Sequence, residues 1–528
     1  MPIKLTIQWK TKVDWLKFLI IIILLIGIFL RFVNLDQKAY SSDEVRTLLR
    51  TSGYTSEELT KQEFDGDVIS PGDLLKYQHP VPEKGIAETI SSLAQEDVHP
   101  PLYFVMLRYW MQSFGNSAVV TRGFSALLSI LMFPCLYWLC LELFNSPLTG
   151  WIASALIAVS PFHLLHAQEA RPYSLWALGI LLSSAALLRA VRLNTGFSWI
   201  VYAATVILGI YAHINFAFVA ISQGIYVIVI ERFRLSKTLA AYSLASLVGV
   251  LFFFPWLWVV LNNWNKIKSL TTWITSFKTS LPDRMAAWIS NLCSIFIDFN
   301  EQYLINKVLD FFILILVIYS LYLLCKNAPR QAYLLIITLI FITTISQVIP
   351  DLIWGGRRSV VARYLTPSYL GIELAVAYLI ASKITAISGN LRYQRLWQFI
   401  MVILISTGVI SCVIISQAPT ARVQGSTPRM NLQVARTINQ TSQPLVISDT
   451  FYPYLLSLSH LLDSKVKLQL VNKPDISPVI DGFSDVFLYY PSRSFQQKLS
   501  QNNNYKLETI VAQPDKGRLW LLKLKKYG

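Results

Sequence analysis

The sequence predicts a polytopic α-helical membrane protein that carries a small α/β domain at its C-terminus. The chain of 528 residues is 54% hydrophobic and only 14% charged, and its mean hydropathy is +0.47. Apolar runs long enough to cross a bilayer recur up to residue 417, without the charged face that a water-exposed helix needs. Beyond that point the pattern becomes polar and mixed, which is typical of a soluble domain.

The membrane part is predicted to contain about eleven spans. Each is an apolar segment bounded by polar or helix-breaking residues. The predicted spans are residues 16–33, 121–144, 148–165, 173–191, 198–212, 215–230, 239–261, 305–325, 331–349, 365–385 and 397–417.

The first span resembles a signal peptide because basic residues precede its apolar core. However, Phe32, Val33, Asn34 and Leu35 follow it, and they do not form the small-residue cleavage site of such a peptide. We therefore predict a retained helix.

The formal charge of +16 is distributed in a way that indicates a membrane rather than a nucleic acid. Alternate short loops carry most of the basic residues, which is the pattern of cytoplasmic loops in membrane proteins. It predicts a cytoplasmic N-terminus, an external or periplasmic C-terminal domain and a multi-pass protein of the plasma (inner) membrane. The basic residues of the predicted cytoplasmic loops are Arg189, Arg192, Arg232, Arg234, Lys237, Lys326, Arg330, Lys383, Arg392 and Arg395.

Two domains are predicted from these patterns. Residues 1–417 form the transmembrane domain, with an external loop at 34–120 that ends in an amphipathic helix over 102–114. A second external segment covers 262–303. Residues 418–528 alternate helical and extended patterns, which predicts an external α/β domain with a mixed sheet.

Asp43 and Glu44 follow the first span after about ten residues, which keeps them near the membrane surface. A carboxylate there suits a general base, while its neighbour, pointing elsewhere, suits orientation of a substrate or binding of a metal. The alternative is that Ser42 and Asp43 cap a helix that begins near Glu44.

His99 precedes two prolines and an apolar run. The prolines fix the start of the next helix, and the imidazole suits hydrogen bonding to a phosphate or hydroxyl. A structural partner for His99 is an equally open interpretation.

Glu169 and Arg171 lie in a junction between two spans with hardly any loop. Charges at such a junction face the bundle interior or a cavity, because facing lipid is costly. The two residues could also pair with one another. His163 and His166 share a helical face, but the sequence offers no convincing third metal ligand.

Arg357, Arg358 and Arg363 break the charge rule by lying on the external side. The planar guanidinium matches phosphate oxygens, so the cluster predicts an anionic ligand. Lipid headgroups or acidic external residues are alternative partners.

Taken together, these motifs resemble the GT-C class of integral-membrane glycosyltransferases. Within that class the chain looks similar to the group of protein O-mannosyltransferases, lipid A aminoarabinose transferases and rhizobial lipopolysaccharide transferases (glycosyltransferase family 39-like), and the resemblance covers residues 15 to 385. It rests on Asp43-Glu44, His99-Pro100-Pro101-Leu102-Tyr103, Arg122 with Ser125-Ala126-Leu127, Ser160-Pro161-Phe162, Gln168-Glu169-Ala170-Arg171-Pro172-Tyr173 and Arg363-Tyr364-Leu365-Thr366-Pro367.

The resemblance implies an inverting hexosyl or pentosyl transferase. Such an enzyme moves a sugar from a polyprenyl-phosphate donor to a lipid, glycan or protein hydroxyl on the external face. Asp43 would be the general base, assisted by Glu44. Glu169 and Arg171 would lie beside the donor phosphate, and Arg363, with Arg357 or Arg358, would stabilise the departing phosphate. Ser41-Ser42 before the acidic pair and Val45-Arg46 after it depart from the commonest pattern of this group.

No cofactor is required by this chemistry, although bound magnesium or manganese is compatible with it. Besides donor and acceptor, the expected partners are membrane lipids and not nucleic acid. Two other functions fit parts of the pattern: a transporter or flippase for a lipid-linked sugar, and an inactive membrane scaffold. The sequence shows no obvious paired inverted segments with broken helices, which disfavours the transporter.

Overall fold

The computed structural model describes residues 3–96, 99–276, 279–299, 304–386, 391–420, 427–472, 482–501, 505–513 and 518–526. It divides into two compact units that interleave along the chain. The first comprises Met1–Val33, Val98–Tyr103 and Arg122–Gln417, and the second Asn34–Asp97, Phe104–Thr121 and Ala418–Gly528. The external loop that we predicted at 34–120 therefore folds largely with the C-terminal region.

The elements follow in chain order. The helices are α1 (Ile3–Phe32), α2 (Ser42–Thr51), α3 (Ser56–Glu63), α4 (Pro71–Leu75), α5 (Ile86–Glu96), α6 (Leu102–Phe114), α7 (Ala118–Phe144), α8 (Pro147–Ala158), α9 (Pro161–Ala167), α10 (Tyr173–Leu193), α11 (Gly196–Ala212), α12 (Phe216–Ile230), α13 (Lys237–Asn262), α14 (Trp264–Leu270), α15 (Thr272–Thr275), α16 (Leu281–Cys293), α17 (Leu304–Asn327), α18 (Arg330–Ile353), α19 (Thr366–Ile384), α20 (Leu391–Gln417), α21 (Thr427–Asn439), α22 (Tyr452–Ser459) and α23 (Arg493–Gln501). The strands are β1 (Asp65–Ile69), β2 (Pro444–Ser448), β3 (Lys467–Val471), β4 (Asp485–Tyr489), β5 (Tyr505–Gln513) and β6 (Arg518–Lys526).

The first unit is a bundle of apolar helices, and each of the predicted spans except 148–165 coincides with one helix in it. Within the described residues, α7, α10, α13, α17, α18, α19 and α20 are each long and apolar enough to cross a membrane, whereas α11 and α12 are shorter. The predicted polytopic membrane fold is confirmed. The amphipathic segment 102–114 is also helical with the predicted bounds, as α6.

One predicted span, 148–165, is not a single straight helix. It is divided into α8 and α9, which meet at a bend of 63°. Pro161 occupies the first turn of α9, where its missing N–H is tolerated, whereas a proline in a helix interior removes a backbone hydrogen bond. The hydropathy pattern did not reveal this break, because apolar residues continue on both sides of it.

The second unit is built on one mixed sheet with strand order β1-β3-β2-β4-β6-β5. Strand β2 pairs in parallel with both β3 and β4, and the other pairings are antiparallel. Buried side chains that include Leu445, Ile447 and Leu488 form its core. The predicted small α/β domain with a mixed sheet is confirmed.

Strand β1 comes from the loop after the first span and pairs with β3, for example Ile69 with Leu468. Helix α2 from the same loop packs on α22, where Arg50 donates to the hydroxyl of Tyr452 at 3.3 Å. The Oγ of Ser457 donates to the carbonyl oxygen of Tyr40 at 2.6 Å. These contacts explain why the loop and the C-terminal region form one unit.

Candidate active site

Arg31 holds the junction at which α8 breaks. Its guanidinium donates to the carbonyl oxygens of Ala158 at 2.7 Å and Ile157 at 3.0 Å, which are the last two residues of α8. Carbonyls at a helix end have no partner within the helix, and in an apolar bundle they must find one elsewhere. A buried arginine at the end of α1 therefore makes the break possible.

Gln168 performs the reciprocal task for α1. Its side-chain amide donates to the carbonyl oxygens of Leu30 at 2.8 Å and Val33 at 3.1 Å, at the C-terminal end of that helix. The chain then turns through Glu169 and Arg171 before α10 begins at Tyr173. The short junction thus places two charged residues inside the bundle, as the sequence predicted.

Arg171 is brought together with His99. Nη2 of Arg171 lies 3.2 Å from Nε2 of His99. A guanidinium has donors only, so Nε2 is the acceptor in this contact. Nη2 also lies 3.4 Å from the Tyr173 hydroxyl.

Arg363 approaches the same aromatic ring. It lies in a short 3-10 turn, Ala362–Leu365, just before α19. Its guanidinium carbon is 5.5 Å from the centroid of the Tyr173 ring, the same distance as that of Arg171. Cations are attracted to a ring face at this range. The structure therefore brings together three of the predicted phosphate-binding residues: His99, Arg171 and Arg363.

Arg357 has a different aromatic neighbour, because its guanidinium lies 5.1 Å from the centroid of the Trp273 ring. Burial lowers the pKa of Arg357, and the positive charge of Arg363 lowers it further. The two positive charges thus repel one another, and a bound anion would offset this repulsion.

Arg358 is committed to a carboxylate. Its Nη1 lies 3.1 Å from Oδ1 of Asp351, a buried residue near the end of α18. The other oxygen of Asp351 accepts from the backbone N–H and the hydroxyl of Ser359 at 2.7 and 2.8 Å. This arrangement closes the turn after α18 and gives Arg358 a structural task.

Glu169 accepts a hydrogen bond within the junction. Its Oε2 lies 3.3 Å from Nδ1 of His166, one turn earlier in the chain. A second pair of the same kind lies close by, between Nε2 of His163 and Oε2 of Glu373 at 2.9 Å. Glu373 belongs to α19, and the sequence analysis missed it; a lone carboxylate within an apolar span was the signal that could have found it.

A small cavity is lined by the histidine of each of these two pairs. It offers about 10 Å³ to the centre of a water molecule, which is room for one water. Its walls combine aromatic, imidazole and hydroxyl groups: Met132, Phe162, His163, His166, Tyr173, Ser174, Ala177 and Thr366. The interior of the bundle is therefore polar where the motifs converge.

The acidic pair lies in the second unit, at the start of α2. Glu44 is completely buried and takes part in a capping box: its Oε2 accepts from the N–H of Ser41 at 3.0 Å, and its own N–H donates to the Ser41 hydroxyl at 3.2 Å. This satisfies two backbone donors at the helix terminus. The alternative interpretation was right that a helix starts here but wrong about its cap, which is Ser41 rather than Ser42 and Asp43.

Asp43 remains accessible, with 33% of its side chain exposed, and Nη1 of Arg46 lies 3.9 Å from its Oδ1. A partly exposed carboxylate can be reached by an approaching hydroxyl, whereas a buried one cannot. The two carboxylates thus differ in their surroundings: Asp43 is partly exposed, and Glu44 holds the start of α2.

The described part of the chain contains no preformed cluster of metal-ligating side chains. There, no group of three or more His, Cys, Asp or Glu side chains is placed to hold an ion. His163 and His166, which share a helical face, each face a glutamate instead.

Known proteins resemble the chain in fold and, over part of its length, in sequence. Residues 98–259 match the family model of dolichyl-phosphate-mannose-protein mannosyltransferase. No curated protein matches the chain.

Among solved structures, ArnT from Cupriavidus metallidurans bound to undecaprenyl phosphate aligns with a TM-score of 0.54 and 13% identity, covering 95% of this chain and 97% of that chain. The apo state of ArnT from the same organism aligns with a TM-score of 0.53 and 13% identity, covering 97% of this chain and 98% of that chain. The predicted GT-C fold is confirmed, because the chain shares the fold of these ArnT structures.

Proposed function

We propose that this chain, with its GT-C fold, transfers a sugar from a polyprenyl-phosphate donor to a hydroxyl acceptor, with inversion. The observation that carries the proposal is the placement of Arg171 and Arg363 against one ring, that of Tyr173, with His99 beside Arg171. Two guanidiniums at a polar junction in an apolar bundle suit a phosphate whose chain stays in lipid. The ArnT structure bound to undecaprenyl phosphate supports this donor class.

The reaction is a single displacement at the anomeric carbon. The acceptor oxygen forms a bond to this carbon, while the bond from the carbon to the phosphate oxygen breaks, and its electron pair leaves with polyprenyl phosphate. Negative charge grows on the leaving phosphate in the transition state. Arg171 and Arg363 are assigned to stabilise it, because fixed cations in a site of low dielectric do so without reorganisation.

Asp43 is assigned as the general base that takes the acceptor proton. This assignment rests on the family resemblance and on the exposure of Asp43, in contrast to buried Glu44. Glu44 and Arg358 are assigned to the structure of their turns rather than to the substrate. Arg357 is assigned a supporting role beside Arg363, since an anion would offset their repulsion.

No metal is needed for this mechanism, because the leaving group already carries its charge on phosphate and the arginines supply the countercharge. The distribution of basic loops favours transfer on the external face of the plasma membrane, with a cytoplasmic N-terminus and an external C-terminal region. Assays with hexosyl and pentosyl donors identify the sugar. Assays with lipid, glycan and protein acceptors identify the acceptor.

Donor cleavage tests the proposal. The purified chain in lipid nanodiscs is incubated with a panel of polyprenyl-phosphate sugars, and the release of free polyprenyl phosphate is followed. A transferase releases it, slowly to water and faster with an acceptor. A transporter moves an intact donor across a vesicle membrane, and a scaffold does neither, so each of these outcomes would overturn the proposal.

A further inference from the structure

The carboxyl ends of β2 and β4 form a distinctive edge of the second unit. Strand β2 lies between β3 and β4 and is parallel to both. The chain therefore leaves β2 towards one side of the sheet and later returns on the other side. In open α/β sheets, ligands bind outside the carboxyl ends of strands at such a change of direction.

The residues just after these strands hold one another in place. Asp449 follows β2, and its carboxylate accepts from the backbone N–H of Ser492 at 2.9 Å and from the hydroxyl of the same serine. A carboxylate has about four acceptor positions. Capacity therefore remains for two further donors, such as the hydroxyls of a ligand.

Tyr490 follows β4 with a φ of 41°. Residues other than glycine rarely adopt this left-handed conformation, which costs free energy and is concentrated at functional sites. Its N–H donates to the carbonyl oxygen of Trp520 at 3.0 Å, and the two rings lie 4.5 Å apart. The conformation directs the ring of Tyr490 onto its aromatic neighbours.

Phe451 is the exposed member of this aromatic cluster. Its ring is 6.0 Å from that of Tyr454, which in turn meets Tyr490 edge-on at 5.5 Å. Although a phenyl ring prefers burial, Phe451 is 49% exposed. An exposed ring two residues along the chain from a carboxylate with spare acceptors fits a sugar, since a pyranose offers an apolar C–H face together with hydroxyl donors.

The same ring adjoins the candidate base. The guanidinium carbon of Arg46 lies 5.2 Å from the centroid of Phe451, and Arg46 also contacts Asp43 at 3.9 Å. One arginine side chain thus links the exposed ring to the carboxylate that is assigned to the acceptor proton. A sugar stacked on Phe451 would be a neighbour of Asp43.

We infer that Phe451, with Asp449 and Tyr490, forms an acceptor subsite for a carbohydrate, so that the acceptor hydroxyl belongs to a glycan. The inference rests on the proposed transferase function and narrows its acceptor from three classes to one. Peptide and lipid acceptors are the other outcomes of the test.

Binding is tested first, without any donor. Saturation-transfer NMR with the full chain in nanodiscs uses a mixture of manno-, gluco- and galacto-oligosaccharides as the probe. Phe451→Leu keeps an apolar side chain and removes the ring, whereas the matched control Phe451→Trp keeps an aromatic face. We expect magnetic saturation to pass from the protein to an oligosaccharide with wild type and with Phe451→Trp. With Phe451→Leu we expect the affinity for that oligosaccharide to fall roughly five- to tenfold. Absence of an NMR saturation signal on any oligosaccharide with wild type, or equal affinities in all three proteins, would overturn the inference.

Transfer assays then separate this inference from the proposed function. With a polyprenyl-phosphate sugar and an oligosaccharide acceptor, Phe451→Leu should raise the acceptor KM roughly five- to tenfold above the values of wild type and Phe451→Trp. Donor consumption with a serine-containing peptide or a lipid alcohol only, and not with any oligosaccharide, would reject the glycan acceptor while keeping the transferase. Failure to consume any donor would reject the transferase itself, whatever the binding result.

Discussion

Arg171 donates a hydrogen bond from Nη2 to Nε2 of His99 at 3.2 Å. This contact joins two motifs that are 72 residues apart in the chain. The imidazole nitrogen is the acceptor, because a guanidinium cannot accept in return. The contact therefore assigns His99 to the orientation of the arginine.

Substitution of His99 should distinguish orientation from charge. The side-chain oxygen of glutamine can still accept from Arg171, whereas phenylalanine cannot. We expect His99→Gln to stay within about fivefold of the wild-type kcat/KM for the donor and His99→Phe to lose roughly tenfold, the size of one hydrogen bond to a charged group. Steady-state kinetics of donor cleavage provide the measurement. Equal losses in the two variants would refute the orienting role.

The two arginines against Tyr173 should matter for turnover more than for folding. Arg171→Lys and Arg363→Lys keep the charge but lose the planar fork that matches phosphate, so we expect kcat to fall by about 10- to 100-fold. The thermal unfolding midpoint should change little. Donor cleavage and thermal unfolding are measured on the same preparations, and an unchanged kcat in both variants would contradict the assignment.

Arg358 provides the matched control for these arginines, because it is committed to Asp351. Arg358→Gln removes one partner of an ion pair whose other partner is buried. We expect a loss of about 1–3 kcal/mol in the free energy of unfolding, with donor KM close to wild type. A raised donor KM with unchanged stability would instead place Arg358 at the phosphate.

The capping box separates Glu44 from its catalytic neighbour. Glutamine can replace glutamate in a capping box, so Glu44→Gln should keep most of the stability and the activity. Ser41→Ala should lower the free energy of unfolding by about 1 kcal/mol, because it removes the acceptor for the N–H of Glu44. Chemical unfolding and donor cleavage test both variants. A Glu44→Gln protein that folds normally but has lost activity would restore the role that the sequence predicted for Glu44.

Chelation tests the absence of a metal requirement. Transfer should persist within about twofold in EDTA, since the arginines supply the countercharge to the leaving phosphate. The assay compares EDTA alone with EDTA followed by an excess of magnesium or manganese. Loss of activity in EDTA that is restored by either ion would show that a divalent cation takes part.

The helices and motifs were largely predictable from the sequence because they are local signals. Long apolar runs determine α7, α10 and the other spans, and tight junctions place Glu169 and Arg171 inside the bundle. The capping box was also readable, since Ser41 and Glu44 have the spacing that this motif requires. Its glutamate was instead predicted to act on a substrate, because adjacent carboxylates are ambiguous without knowledge of burial.

Contacts between distant segments were not predictable. The pairing of β1 with β3 joins residues about 400 positions apart, and one short loop strand carries little pattern of its own. The partner of His163 is Glu373, on a helix that is apolar on all sides, so its periodicity does not show which face meets α9. Likewise, the ion pair between Asp351 and Arg358 depends on the conformation of the turn that separates them, which the sequence does not define.

The central claim is tested most directly by the Asp43→Asn substitution. Membranes that contain wild type or the variant are supplied with a panel of radiolabelled polyprenyl-phosphate sugars and their acceptors, and the release of polyprenyl phosphate is measured. We expect acceptor-dependent release by wild type and a loss of at least about 100-fold in the variant, because the acceptor proton then has no base. Equal release by both proteins, or no consumption of any donor by either, would contradict it.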